Sequence, residues 1–142
     1  MGGGFLSKQY IVTKVIDFCY GHRLLNYAGK CKNLHGHNGR LEIDIAADKL
    51  DTRGIAHDFS DIKKTVKGWI DIELDHKMLL NEKDPMVPFL HEKGESIFLF
   101  QDNPTAENIA KLIFEESKKM GFAVTEVRLW ETADSYATYR ES

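Results

Sequence analysis

Gly29-Lys30-Cys31-Lys32-Asn33-Leu34-His35-Gly36-His37-Asn38-Gly39-Arg40-Leu41-Glu42-Ile43-Asp44-Ile45-Ala46 carries a structural signal and a chemical one. From Arg40 to Ala46, Leu41, Ile43 and Ile45 alternate with Arg40, Glu42 and Asp44. That period of two belongs to an antiparallel strand with one face buried and the other in water. Just upstream, Cys31, His35 and His37 put a thiol and two imidazoles within seven residues. In extended backbone, residues i and i+2 point to the same side. His35 and His37 can therefore aim both rings at one point, and Gly36 leaves room for an approach to the backbone between them. His22 ends an apolar run upstream. Three histidines with a fourth position open is the ligand count of a catalytic zinc site, and imidazole suits zinc.

On the N-terminal side, Gln9 to Gly21 is rich in β-branched and aromatic residues, with Val12, Ile16, Phe18 and Tyr20 on one parity and His22 next on it. This predicts a strand that delivers His22 at its end. Arg23 to Asn38 reads as a loop. On the C-terminal side, Ser60 suits an N-cap. Ile62, Val66, Trp69 and Ile70 follow at helical spacing, with Lys63, Lys64 and Lys67 opposite. Asp75 and His76 fall at the end of that helix, within Leu74 to Asn81. Glu82 to Asn103 reads as a longer connection in which Ser96 to Phe100 forms a short strand. Thr105 as N-cap, Glu107 in the positive first turn and Gly121 as the stop bracket a second helix. Ile109, Leu112 and Ile113 form its buried stripe. Phe122 to Trp130 and Tyr136 to Arg140 read as strands around an Ala133-Asp134-Ser135 turn. The predicted order is ββααββ.

The chain of 142 residues has an ordinary single-domain length, so one domain over 1–142 is expected. A net charge of −3 offers no basic face for nucleic acid. Cys19 and Cys31 are too few for a disulfide framework, which favours a reduced, cytoplasmic setting. No apolar run approaches the ~18 residues of a membrane span. Met1-Gly2-Gly3-Gly4-Phe5-Leu6 lacks the regions of a signal peptide and has Leu6 where myristoylation wants Ser or Thr. Residues 1–8 read as a flexible end.

Cys31 has three readings: an inert buried thiol, a fourth zinc ligand that closes the site, or a reactive thiolate favoured by Lys30 and Lys32. Cys19 has no such company and reads as structural; His57 and His91 read as ordinary histidines. Asp75–His76 can polarise and relay a proton beside a thiolate, or His76 can simply sit at a helix C-terminus. Glu131 is either a surface carboxylate or an acceptor for a two-donor, guanidine-like edge. Thr105 and Glu107 are explained as cap and dipole partner, to which a ligand role is an addition.

The chain resembles the 6-pyruvoyltetrahydropterin and 6-carboxytetrahydropterin synthase family. The matching pieces are Phe18-Cys19-Tyr20-Gly21-His22-Arg23-Leu24, Cys31 to His37, Asp58-Phe59-Ser60-Asp61, Leu74-Asp75-His76, Pro104-Thr105-Ala106-Glu107-Asn108 and Trp130-Glu131-Thr132, in family order. The resemblance implies an α+β tunnelling fold (T-fold): an antiparallel sheet with two helices on one face, associating into barrels. The implied assembly is a homohexamer of two trimers, with active sites between subunits. It implies zinc on His22, His35 and His37, one per chain, and a catalytic group of Cys31, Asp75 and His76. It further implies a pterin grip by Glu131, and Thr105, Ala106 and Glu107 lining the pocket. The implied substrate is 7,8-dihydroneopterin triphosphate.

Three features depart from the general pattern. Cys31-x-x-x-His35 has the short spacing of carboxy-forming members, two residues fewer than in the animal pyruvoyl-forming enzymes. Glu82 to Gln101 is longer than in compact bacterial members. Cys19, Tyr20 and Gly21 replace the small residues usual before the zinc histidine. The first reading is a zinc-dependent 6-carboxytetrahydropterin synthase of the 7-deazaguanine (queuosine-type) pathway, and the second a pyruvoyl-forming synthase. A non-catalytic pterin- or zinc-binding protein and a generic zinc hydrolase are readings of other classes.

Overall fold

Two long strands, β1 (Tyr10–His22) and β2 (His35–Ala47), pair antiparallel along their whole length in a computed structural model that describes residues 8–141. The flexible end expected over 1–8 lies, apart from Lys8, outside the described residues. The sheet continues beyond β2 with β5 (Val124–Thr132) and β6 (Ser135–Arg140), both antiparallel. Beyond β1 it continues with β3 (Lys77–Asn81) and β4 (Ile97–Phe100), giving the order β4-β3-β1-β2-β5-β6.

The α+β tunnelling-fold class holds, with two corrections of detail. The sheet is mixed, because β3 runs parallel to β1 and β4 parallel to β3. The element order is richer than ββααββ: β3 follows directly after the first helical segment, where the sequence pattern predicts no strand, and the 82–103 connection carries α3 (Met86–Glu92) as well as β4. Parallel neighbours need a crossover of a dozen or more residues. The helical segment before β3 and α3 before β4 occupy those crossovers. No helix among the described residues is long and apolar enough to cross a membrane.

The period-two reading explains which face carries the core. Ile16, Phe18 and Tyr20 of β1, Leu41, Ile43 and Ile45 of β2, and Val127 and Leu129 of β5 are all buried on one side. Two helical segments cover them. The first runs from α1 (Phe59–Ile62) through a π-helical turn (Lys63–Lys67) into α2 (Gly68–Glu73). Its buried row is Ile62, Val66, Ile70 and Leu74, one apolar residue every four. At 3.6 residues per turn that row drifts by about 40° per step, and the wider π turn takes up part of the drift. The segment starts earlier than its sequence indicates: Asp58 is the N-cap and accepts a bond from the Ser60 N–H at 2.8 Å, so Ser60 lies inside. The second segment is α4 (Ala106–Lys119), where Thr105 caps as expected and Ile109, Ala110, Ile113 and Phe114 are buried. Gly121 follows with φ +98°, the left-handed conformation that ends a helix without strain.

The opposite face of the sheet is charged. Arg128 of β5 donates to Glu42 Oε1 at 2.9 Å, to Asp44 Oδ1 at 2.8 Å and Oδ2 at 2.9 Å, and to Glu126. One guanidinium thus holds three carboxylates across two strands, the favourable cross-strand pairing of opposite charges.

Candidate active site

The β1–β2 register builds the histidine cluster. His22 stands directly opposite His35, and Tyr20 opposite His37. Opposed residues and their diagonal neighbours on one face are within side-chain reach. The rings accordingly meet at centroid separations of 4.6 Å (His22–His35), 5.1 Å (His22–His37) and 5.0 Å (His35–His37). One nitrogen from each lies within 4.8 Å of the others, so the three could hold a metal ion. Cys31 is not in that group. The space at Gly36 is used by the chain itself, since a Cβ there would sit 3.1 Å from the Tyr20 carbonyl oxygen.

The partners of the rings decide whether a metal fits. His22 Nδ1 lies 2.7 Å from the Pro104 carbonyl oxygen, and His35 Nδ1 lies 2.7 Å from that of Asn33. A carbonyl only accepts, so the hydrogen-bond network assigns the ring proton to Nδ1 in both. Each Nε2 is then left with a lone pair, the outer-partner arrangement that orients metal-ligating histidines. Burial holds His22 below the ordinary imidazole pKa, which keeps it neutral. His22 is only 2% exposed, and its Nε2 makes no hydrogen bond although Glu131 Oε2 is 3.3 Å away. A buried lone pair without a donor is costly, and a cation held by the three rings would take it. The donor set therefore fits a divalent ion such as zinc.

Glu131, at the end of β5, sits against this cluster. Its Oε2 is 3.0 Å from His37 Nε2 and accepts from the Tyr20 hydroxyl at 3.0 Å. Burial, and after it the Glu131 charge, pushes the Tyr20 pKa far up, so the phenol remains a donor.

A cavity of about 610 Å³ gathers most of the sequence-predicted residues. Cys31, on a 3₁₀ turn (Lys30–Lys32), shares it with His22, His37 and Glu131. Thr105, Ala106 and Glu107 form another wall at the start of α4. That start is pinned. Thr105 accepts from the Asn108 N–H at 3.1 Å, and the neighbouring Pro104 carbonyl holds His22. Asn103 fixes the loop before Cys31 by accepting from the Leu25 N–H and donating to the Leu25 carbonyl, both at 2.9 Å.

Asp75 and His76 are not in that cavity. His76 has φ +60° at the turn from α2 into β3, and its N–H donates to the Cys19 carbonyl at 2.7 Å. Asp75 accepts from the Cys19 N–H at 2.9 Å and pairs with His76 Nδ1 at 2.8 Å. Burial pushes the Asp75 pKa up, but the Cys19 N–H and the His76 ring outweigh it and hold the carboxyl below its ordinary value. His76 lines a second cavity of about 530 Å³, whose wall includes Cys19, His35, His37 and Asn38. Within one chain His76 and Cys31 thus line different cavities, with His37 common to both.

No role in the site was read from sequence for Tyr20, Asn103 or the Pro104 carbonyl. A tyrosine on the buried parity of a strand signals a hydroxyl in need of a partner. A main-chain carbonyl has no such signal.

A family model described as 6-pyruvoyl tetrahydropterin synthase matches residues 11–142. A 6-carboxy-5,6,7,8-tetrahydropterin synthase of Rickettsia typhi is 39% identical over 135 residues, covering 87% of this chain and 95% of the relative. One of Aquifex aeolicus with the same name is 35% identical over 161 aligned residues, covering 94% and 99%. The structure of the Caenorhabditis elegans 6-pyruvoyl tetrahydropterin synthase, at 24% identity, shares the fold with a TM-score of 0.70 over 97% of this chain and 99% of its own.

Proposed function

The chain belongs to the 6-pyruvoyl tetrahydropterin synthase family, and from that membership we propose that it is a zinc-dependent lyase. It converts 7,8-dihydroneopterin triphosphate and one water to 6-carboxy-5,6,7,8-tetrahydropterin, acetaldehyde and triphosphate, within a 7-deazaguanine (queuosine-type) pathway. The observation that carries this reading is the single cavity shared by Cys31, two histidines of the metal-competent trio and Glu131. Relatives at 34–40% identity named for the carboxy product favour that product, as does the short Cys31-to-His35 spacing.

His22, His35 and His37 would hold the zinc, one per chain. When bound, it supplies a Lewis acid that polarises side-chain oxygens of the substrate and makes neighbouring C–H protons acidic. Cys31 is the base that takes such a proton. Its absence from the metal-competent group supports this role over that of fourth ligand. Glu131 accepts hydrogen bonds from the 2-amino and N3 hydrogens of the pterin, a two-donor edge matched to a carboxylate. Thr105, Ala106 and Glu107 line the pterin pocket.

Asp75 keeps His76 oriented for proton transfer, and the pair acts on the Cys31 cavity of another copy. The support is that His76 and Cys31 line different cavities of one chain, and that the sheet ends in β4 and β6, whose outer ladders have no partner strand among the described residues. Such edges are templates for pairing. The assembly is a homohexamer of two trimers, each subunit a single domain over 1–142. Two unpaired cysteines agree with a cytoplasmic setting.

Incubation with dihydroneopterin triphosphate, with coupled detection of acetaldehyde and mass analysis of the pterin, tests the reading. Equimolar acetaldehyde and 6-carboxytetrahydropterin are expected. Triphosphate release without acetaldehyde would instead assign the pyruvoyl-forming reaction, and no turnover at all a binding role.

A further inference from the structure

We infer that Tyr20 is a positioning residue whose buried hydroxyl holds Glu131 in place for the pterin ring once the histidines are engaged by metal. The inference rests on the function proposed above and adds a residue to it.

Four observations carry it. First, Tyr20 is 3% exposed, yet its hydroxyl reaches Glu131 Oε2 at 3.0 Å across 111 residues of sequence. A phenol buried this deeply needs a partner, and Glu131 is its partner. Second, the ring is fitted to its place. It stacks on Phe18 at 5.3 Å and stands edge-on to His22 at 5.2 Å. Third, Gly39 on the facing strand makes room for it. A Cβ at Gly39 would lie 3.0 Å from Tyr20 Cε1 and 3.3 Å from Leu129 Cδ1. Fourth, the same Oε2 also faces His22 Nε2 at 3.3 Å and His37 Nε2 at 3.0 Å. A metal held by the trio would engage those nitrogens. Of the three contacts of Oε2, the one to Tyr20 is the one that uses no histidine nitrogen. The hydroxyl thus decides whether the carboxylate stays aimed when the site is loaded.

The test is titration of zinc-loaded protein with 7,8-dihydroneopterin, which lacks the triphosphate leaving group, in wild type, Tyr20→Phe, Glu131→Gln and the double variant. Tyr20→Phe keeps the ring and deletes only the hydroxyl. Its dissociation constant should rise roughly tenfold or more, the scale of one lost hydrogen bond to a charged group. Zinc content and the circular-dichroism spectrum should match wild type. In steady state, KM should rise by a similar factor while kcat changes less. In the Glu131→Gln background the same substitution should change affinity less than about twofold, since residues acting as a unit are non-additive. Wild-type affinity in Tyr20→Phe would overturn the inference. So would an equal loss in both backgrounds, because Tyr20 would then act without Glu131. Loss of zinc or of the native spectrum in Tyr20→Phe would assign the residue to packing and overturn it too. Failure of wild type itself to bind dihydroneopterin would overturn the functional reading instead.

Discussion

Replacing Arg128 with Met removes the cation that binds Glu42, Asp44 and Glu126 and leaves three carboxylates on one patch of the sheet. Four donor contacts are lost, three of them at 2.8–2.9 Å. The carboxylate side chains are 16–23% exposed, so water replaces part of what the guanidinium supplied. Removing one partner of a fully buried pair costs roughly 3–5 kcal/mol, and partial rehydration brings the expectation to about 3 kcal/mol at neutral pH. The cost depends on pH with a definite sign. The Arg128 hydrogen bond holds the Glu42 pKa below its ordinary 4.5. For Asp44, burial pushes upward, but Arg128 and Thr13 outweigh it and hold the value below 3.8. Groups depressed in the folded state contribute stability that is present above their ordinary pKa and lost as pH falls through the folded value. The gap between wild type and Arg128→Met should therefore be widest near pH 7 and shrink as the pH falls below about 4. Urea denaturation followed by tryptophan fluorescence suits the measurement, since Trp130 Nε1 donates to Glu42 Oε1 at 3.1 Å. Protein concentration should be held constant between samples. A gap that stays constant with pH would refute the electrostatic account and leave only packing of the Arg128 stem. Absence of any loss at pH 7 would refute the cost itself.

Metal analysis of purified protein should find about one zinc per chain, and His37→Ala should lose most of it; full occupancy in the variant would remove His37 from the ligand set. Cys31→Ala should keep zinc and bind dihydroneopterin as wild type does, while turnover falls by ~10²-fold or more; loss of zinc would instead make Cys31 a ligand. Hetero-oligomers assembled from Cys31→Ala and His76→Ala subunits should recover part of the turnover that each variant lacks alone. Inactivity of well-folded mixed assemblies would count against catalysis shared between copies.

Local chemistry made much of this protein legible from sequence. Alternation of Leu41, Ile43 and Ile45 with Arg40, Glu42 and Asp44 sorted β2 into a core face and a charged face, and both faces are as read. The parity that joins Ile16, Phe18 and Tyr20 to His22 delivered that histidine to the cluster. Thr105 and Gly121 bracketed α4, because caps and stops are written in residues adjacent to the helix they end. Tertiary structure alone decided the rest. The pairing of His22 with His35 is a register between β1 and β2, and the period of either strand alone does not say which residue of the other it will face. The parallel addition of β3 and β4 depended on how the intervening helices cross the sheet. The tautomer of His22 was fixed by the Pro104 carbonyl, a group every residue carries and no sequence distinguishes. The separation of Asp75–His76 from Cys31, and the meeting of Tyr20 with Glu131, are likewise long-range. Residue types set which chemistry this chain can perform, while the distances at which those groups meet arise only when distant segments share one sheet.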